Sequence, residues 1–259
     1  MSGPLVLCYH AVSERWPAPL SVTPERFEWQ LESLVRRGYR GARFLDVALG
    51  RADGRALAVT FDDAYRSVLE LALPILERLG LVGSVFAPTS FVGSAGPMAW
   101  PGIDQWLGGP FEPELRCLSW EELGELRRRG WEVGSHTRTH PRLTGLGDAE
   151  LREELAGSRD ECEQGLGESC ATLAYPYGDW DERVARAAGD AGYAAACTLP
   201  ARFHGAAPLS WPRVGVYHAD SDWRFRLKVS PLVRRARATP LWDRLGALRS
   251  GTKPQRQDA

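Results

Sequence analysis

The residues best suited to chemistry in this chain are two adjacent carboxylates, Asp62 and Asp63, and two histidines four apart, His136 and His140. A hydrolytic divalent-metal site takes three protein ligands and keeps a position open for water. Asp63, His136 and His140 supply a mixed oxygen and nitrogen set of that kind, suited to zinc and tolerated by cobalt, nickel and manganese; a soft thiolate centre is excluded by the donor types. Asp62 is then left over as a base. A histidine pair alone reads equally well as two solvated rings on a surface loop, but beside an Asp-Asp pair that plainer reading becomes improbable.

Both pairs end β-type runs, Ala56-Leu57-Ala58-Val59-Thr60-Phe61 and Trp131-Glu132-Val133-Gly134-Ser135. Catalytic groups of parallel α/β folds collect at the carboxyl ends of strands. Successive strand side chains face opposite ways, so Asp62 and Asp63 reach one site only if the chain turns at Asp63-Ala64-Tyr65. One helical turn from His136 puts both imidazoles on one face, and Pro141 ends that turn at His140.

The elements around these motifs alternate. A first strand covers 5–9. Thr23-Pro24 opens a helix carrying Phe27, Leu31, Leu34 and Val35 at helical spacing. A second amphipathic helix is expected over 65–79, a strand over 83–89, and a capping box at Ser119-Trp120-Glu121-Glu122. Further helices are expected from Asp148 to about Gly167 and from Asp181 to Gly189, with strands at 172–175, 193–198 and 211–217. Residues 90–117, rich in Gly, Pro and Trp without sustained period, form a loop long enough to be functional. About seven strands with intervening helices favour one α/β barrel over two lobes.

With 259 residues, 44% apolar and 25% charged, the chain has the composition of an ordinary globular protein able to bury a full core. A net charge of −1 gives no argument for a nucleic-acid partner. The five cysteines, without C-x-x-C spacing, read as reduced and mostly buried thiols. Neither a secretory signal nor a membrane span is visible, which points to the cytoplasm.

Charge is unevenly placed. Of the 32 lysines and arginines, ten lie between Trp223 and Ala259, against two of the 33 acidic residues. Residues 223–259 are therefore separated from a catalytic domain at 1–222. Leu227, Leu232, Leu241, Trp242, Leu245 and Leu248 interleave with the charges, which suits a peripheral helix on the anionic inner face of a membrane; the other reading is a solvated helix docked on the barrel.

The segments TFDD at 60–63 and HTRTH at 136–140 resemble the first two motifs of the polysaccharide deacetylase family, carbohydrate esterases with a NodB homology domain. Leu7-Cys8-Tyr9-His10 and Ala174-Tyr175-Pro176-Tyr177-Gly178-Asp179-Trp180-Asp181 resemble the opening and third motif of its poly-N-acetylglucosamine branch. The resemblance spans about residues 4–218. It implies a single-domain distorted (β/α)7 barrel, a divalent metal on Asp63, His136 and His140, Asp62 as general base, and removal of acetyl groups from an amino-sugar polymer, oligosaccharide or glycolipid precursor. It further implies an oxyanion donor in the Tyr177 backbone N–H and substrate contacts at Tyr175, Pro176 and Trp180. His10 takes the general-acid role in this reading, as a histidine charged near neutral pH, with His218 as the alternative; His204 is left as surface.

Two positions depart from the family. Ala64 stands where glycine is usual, and Ala174 stands where many members have an arginine that orients the catalytic aspartate, so the base must be held differently. Asp179 and Asp181 are candidates for supporting the site from just outside it, and Asp181 reads equally well as a helix cap. Of ten tryptophans, Trp100, Trp106, Trp180 and Trp211 fall where they can face a cleft, and about half of these are expected to touch substrate; Trp29, Trp120 and Trp131 read as packing. Two rival readings remain: a sugar-binding homologue without turnover, and a metal hydrolase of another amide or ester.

Overall fold

The computed structural model describes residues 3–52, 54–199 and 206–237. The strands in chain order are β1 (Leu5–Tyr9), β2 (Ala11–Val12), β3 (Ser21–Val22), β4 (Arg40–Gly41), β5 (Ala56–Phe61), β6 (Gly83–Ala87), β7 (Glu132–Ser135), β8 (Thr172–Ala174), β9 (Ala195–Thr198), β10 (Trp211–Pro212) and β11 (Val214–Gly215). Nine of them form one parallel sheet in the order β10-β9-β8-β7-β6-β5-β1-β11, with β4 beside the start of β5. β10 and β11 are one stretch of chain broken at Arg213. Its first half pairs with β9 and its second with β1, which closes the sheet into a barrel. The run expected as a single strand over 211–217 is thus the seam, and the wall is the (β/α)7 barrel anticipated from sequence.

The two-residue period of the strands sorts the side chains. Val6, Ala56, Ala58, Phe86, Ala174, Ala195 and Cys197 pack together inside the barrel. Leu5, Leu7, Tyr9, Leu57, Val59, Phe61 and Val133 pack outward in the main strand-to-helix layer. Each such fully buried Leu or Phe contributes about 1.5–3 kcal/mol, so the outer layer carries most of the stability. The interior is kept small: a Cβ on Gly134 of β7 would lie 2.5 Å from the Thr172 hydroxyl and 2.7 Å from the Phe86 ring.

The helices are α1 (Pro24–Val35), α2 (Phe44–Ala48), α3 (Leu73–Arg78), α4 (Trp120–Arg128), α5 (Asp148–Arg152), α6 (Ser158–Leu166), α7 (Glu182–Asp190), α8 (Asp222–Val229) and α9 (Pro231–Arg237). Caps form as their residue types dictate: Thr23 accepts the Arg26 N–H, Ser119 and Glu122 close a capping box, and Asp181 accepts the Val184 N–H. The helix expected over 65–79 opens instead with a π-helical segment, Val68–Ala72. Pro74 has no N–H to donate and its ring clashes with the carbonyl four residues back, and a wider turn relieves both. A second π-helical segment, Glu153–Gly157, joins α5 to α6.

All five cysteines are buried and none is in a disulfide. Phe225 and Val229 of α8 belong to the barrel's main apolar cluster, so the chain stays docked beyond residue 222. His204 and residues 238–259 lie outside the described residues. No helix among the described residues is long and apolar enough to cross a membrane.

Candidate metal centre and cleft

Strand parity carries Asp62 and His136 to the site. Inward positions of β5 run 56, 58, 60, and the next is Asp62; those of β7 run 132, 134, and the next is His136; those of β1 run 6, 8, and the next is His10. All three face a cleft of about 430 Å³ at the carboxyl end of the barrel. Asp63 has the wrong parity and is brought round by the backbone, which is left-handed at Asp63 (φ 68°) and Ala64 (φ 49°). The Leu118 N–H holds this turn by donating to the Ala64 carbonyl at 2.9 Å. Glycine adopts such a conformation without cost, and alanine does not.

The histidine loop is not the helical turn expected from the i, i+4 spacing. Thr137 (φ 65°) and His140 (φ 63°) are both left-handed, and the 136–140 segment is a bent loop. It is pinned from the π-helical segment after α5: Glu154 accepts the N–H groups of Arg138 and Thr139 at 2.8 and 2.9 Å. Two carboxylate-to-backbone bonds thus do what a helix would have done.

Asp63 Oδ1 lies 3.3 Å from His136 Nε2 and 3.4 Å from His140 Nε2. Ligand atoms on a tetrahedral zinc, each at about 2.0–2.1 Å, sit about 3.3–3.4 Å apart. His136 Nδ1 donates to the Ala174 carbonyl at 2.8 Å, which aims Nε2 at the centre. Asp63 Oδ1 is buried with no hydrogen-bond partner. A buried, unpartnered carboxylate oxygen facing two imidazoles is a donor set that a divalent cation satisfies, so these three residues fit a metal. Burial pushes His140 down to about 3, keeping it in the neutral form that ligates.

Asp62 is held by a residue that the motifs do not contain. Arg213, fully buried at the seam, donates from Nη1 to Asp62 Oδ1 at 2.6 Å and from Nη2 to Oδ2 at 2.7 Å. Its Nη1 also reaches the Thr60 hydroxyl at 2.9 Å, and its Nε the Thr198 carbonyl at 3.4 Å. Burial alone would raise the Asp62 carboxyl; the Arg213 guanidinium outweighs it and holds the group well below the usual carboxylate range. The Cys8 thiol donates to Oδ2 at 3.4 Å. Cys8, His10 and Asp62 also converge, but both oxygens of Asp62 are already committed to Arg213, so this trio is not a second ligand set.

The remaining expectations divide. His10 lines the cleft, whereas His218 is exposed, one residue out of register with the inward-facing Tyr217, and its N–H is spent on the Pro19 carbonyl. Burial lowers the pKa of His10 against the pull of Asp63 and Asp62, contrary to the expectation of a ring charged near neutral pH. Tyr177 lines the cleft in a left-handed conformation (φ 58°). Gly178 beside it permits the turn: a Cβ there would meet the Leu199 nitrogen at 2.8 Å. Tyr175 and Pro176, expected at substrate, are buried, and the Tyr175 hydroxyl is spent on the Leu209 carbonyl at 2.8 Å. Tyr175 has outward parity on its strand, which turns its ring away, and Trp180 stacks on it at 6.3 Å outside the cleft lining. Trp100 and Trp106 line the cleft, Trp100 stacked on His140 at 4.1 Å, while Trp211 lies at the opposite end near Pro4. Asp179 accepts from Thr144 and Asp181 caps α7, so neither serves the centre.

The family model for polysaccharide deacetylases matches residues 50–196, and the chain belongs to that family. It is 23% identical over 193 residues to a Bacillus subtilis protein, YxkH, that carries a polysaccharide deacetylase name; the match covers 73% of this chain and 61% of YxkH. Two solved structures share the fold. The Streptococcus pyogenes deacetylase PplD in complex with acetate superposes with a TM-score of 0.73 at 21% identity, covering 88% of this chain and 98% of that one. IcaB from Ammonifex degensii gives 0.71 at 24% identity, covering 90% and 98%.

Proposed function

We propose that this protein is a metal-dependent hydrolase that removes acetyl groups from an N-acetylated amino sugar in a polymer, an oligosaccharide or a glycolipid precursor. The observation that carries this reading is the division of labour between two adjacent aspartates. Asp63 faces His136 and His140 with an unpartnered oxygen, while Asp62 is kept charged by Arg213 and free of that cluster.

A divalent cation, zinc in first place, supplies Lewis acidity and lowers the pKa of water when bound by Asp63, His136 and His140. Asp62 orients the attacking water and takes its proton. Its depressed pKa makes it a weak base, adequate only for a water already acidified. The Tyr177 N–H donates to the oxyanion as the acetyl carbonyl becomes tetrahedral. Protonated His10 gives the leaving amine its proton. Burial lowers the His10 pKa, which makes the imidazolium a stronger donor and narrows the pH range in which it is charged. The Trp100 and Trp106 side chains wall the cleft with apolar surface of the kind on which sugar rings stack.

Acetate release from N-acetylglucosamine oligomers by metal-stripped protein, with zinc or cobalt restored, tests this reading beside Asp63→Ala and His10→Ala. Metal-dependent release lost in Asp63→Ala and lowered about 10²–10⁴-fold in His10→Ala is expected. Stoichiometric metal binding without acetate from any acetylated sugar contradicts it.

A further inference from the structure

We infer that α8 and α9 form a docking surface for an anionic lipid bilayer. Among the described residues only four large apolar side chains are exposed, and three of them lie here: Trp223 at 63%, Leu227 at 50% and Leu232 at 75%. The arrangement on α8 is ordered by helical geometry. At about 100° per residue, Trp223 and Leu227 fall within about 40° of each other and form one ridge. Phe225 and Val229 fall on the opposite side, where they are fully buried in the barrel's core cluster. Arg224 and Arg226 fall on either flank of the ridge, and both are exposed.

A helix with one face docked needs no apolar residue on the other, so the ridge is unexplained by folding. Its flanking charges select the occupant. Over α8 and α9, from Asp222 to Arg237, there are six basic residues against Asp222 alone, and the chain beyond, to Ala259, adds four more against Asp243 and Asp258. Lys228 is neutralised by Asp220, the Arg226 guanidinium lies over the Trp29 ring at 5.1 Å, Arg234 donates to the Pro4 carbonyl at 2.8 Å, and Arg224 lies over the Trp223 ring at 5.7 Å, at the head of the ridge. An apolar ridge with tryptophan at its head and arginines along both sides matches the boundary between acyl chains and anionic headgroups: the indole and leucines enter, and the arginines extend to phosphates. A soluble protein partner matched to this surface would need acidic side chains around an apolar groove, and self-association is disfavoured by like charge on both copies.

The test is co-sedimentation of the full chain with vesicles of phosphatidylcholine alone or mixed with phosphatidylglycerol, at low and high salt. Binding only to the mixed vesicles, weakened by salt, is expected. Arg224→Glu/Arg226→Glu should weaken it by at least about thirtyfold, taking about 1 kcal/mol per basic side chain at the surface. Trp223→Ser/Leu227→Ser/Leu232→Ser, which touches no charge, should weaken it by about tenfold or more. Unchanged thermal unfolding in both variants checks that the barrel is intact. A full chain that stays in the supernatant with mixed vesicles, or an apolar variant that binds as the parent does, overturns the inference. So does a concentration-dependent dimer that the apolar variant breaks while vesicles bind neither.

Discussion

Two carboxylates face the interior of this barrel, one at each end, and they are treated in opposite ways. Asp62, at the carboxyl end, meets a guanidinium and stays ionised. Glu132, at the amino end of β7, meets neutral donors: the Thr172 hydroxyl at 2.6 Å, the Ser84 hydroxyl at 2.9 Å and the Leu45 N–H at 3.0 Å. Burial raises the Glu132 carboxyl, and those hydrogen bonds only partly offset the rise. The same interior therefore holds a permanent charge beside the Asp63, His136 and His140 cluster and a proton-tolerant bracket where three elements are tied together. What separates the ionised carboxylate from the structural acceptor here is the partner, since both are carboxylates at inward positions.

Breaking the charged end has the larger effect. Arg213→Met leaves Asp62 buried without its counter-charge and should cost about 3–5 kcal/mol of stability, read from urea unfolding. A loss below about 1 kcal/mol would mean that solvent, and not Arg213, keeps Asp62 ionised. At the other end, Glu132→Leu removes the acceptor of two hydroxyls, which can rotate, and of the fixed Leu45 N–H, and should cost about 1–3 kcal/mol in all. Glu132→Gln keeps one acceptor oxygen and turns the other contact into an N–H donor that a rotated hydroxyl must accept, so it should cost less than Glu132→Leu, about 1 kcal/mol.

The pH dependence sharpens the contrast. A carboxyl whose folded pKa is raised binds its proton more tightly in the native state, so its contribution is full below the unfolded value and is lost as pH climbs towards the folded one. Glu132→Gln removes that loss, and the urea midpoint of the variant relative to the parent should rise with pH above the ordinary carboxylate range; a constant difference would show that Glu132 does not titrate there. Asp62 has the reverse sign. Its stabilisation is present above the unfolded value and is lost only in strong acid, so Asp62→Asn should remove stability at neutral pH.

The smallest effect concerns the turn at Asp63 and Ala64. Ala64→Gly relieves a left-handed alanine and should leave stability unchanged or raise it by up to about 1 kcal/mol, the gain being offset by a more flexible unfolded chain. A clear loss would mean that packing of the buried Ala64 methyl outweighs the strain.

The convergence of Asp63, His136 and His140 and the barrel were legible because both are local: a polar pair at the end of an apolar run, repeated, with helices between. The alternation rule carried further than it was used. It places Tyr175 outward and His218 out of register, and it assigns Trp211, Arg213, Gly215 and Tyr217 to one face. An arginine in the middle of such a run is the signal for the partner of Asp62, given that Ala174 occupies the position where many family members carry that arginine. The histidine loop was not legible, since its shape depends on Glu154, fourteen residues beyond His140 and placed by a π-helical segment. Spacing of i, i+4 suggests a helix only when the intervening backbone has nothing better to bond to. The cleft wall was legible in kind and not in membership, because Trp100 and Trp180 both sit in irregular segments and only the fold decides which meets His140.

The central claim is that Asp62 acts as base beside, and not within, the metal cluster. It is tested most directly by Asp62→Asn, in which metal content and acetate release from N-acetylglucosamine oligomers are measured on the same sample. The account predicts one metal per chain, as in the parent, with acetate release lower by about 10²–10⁴-fold. Parental turnover in that variant, or loss of the metal together with activity, would contradict it.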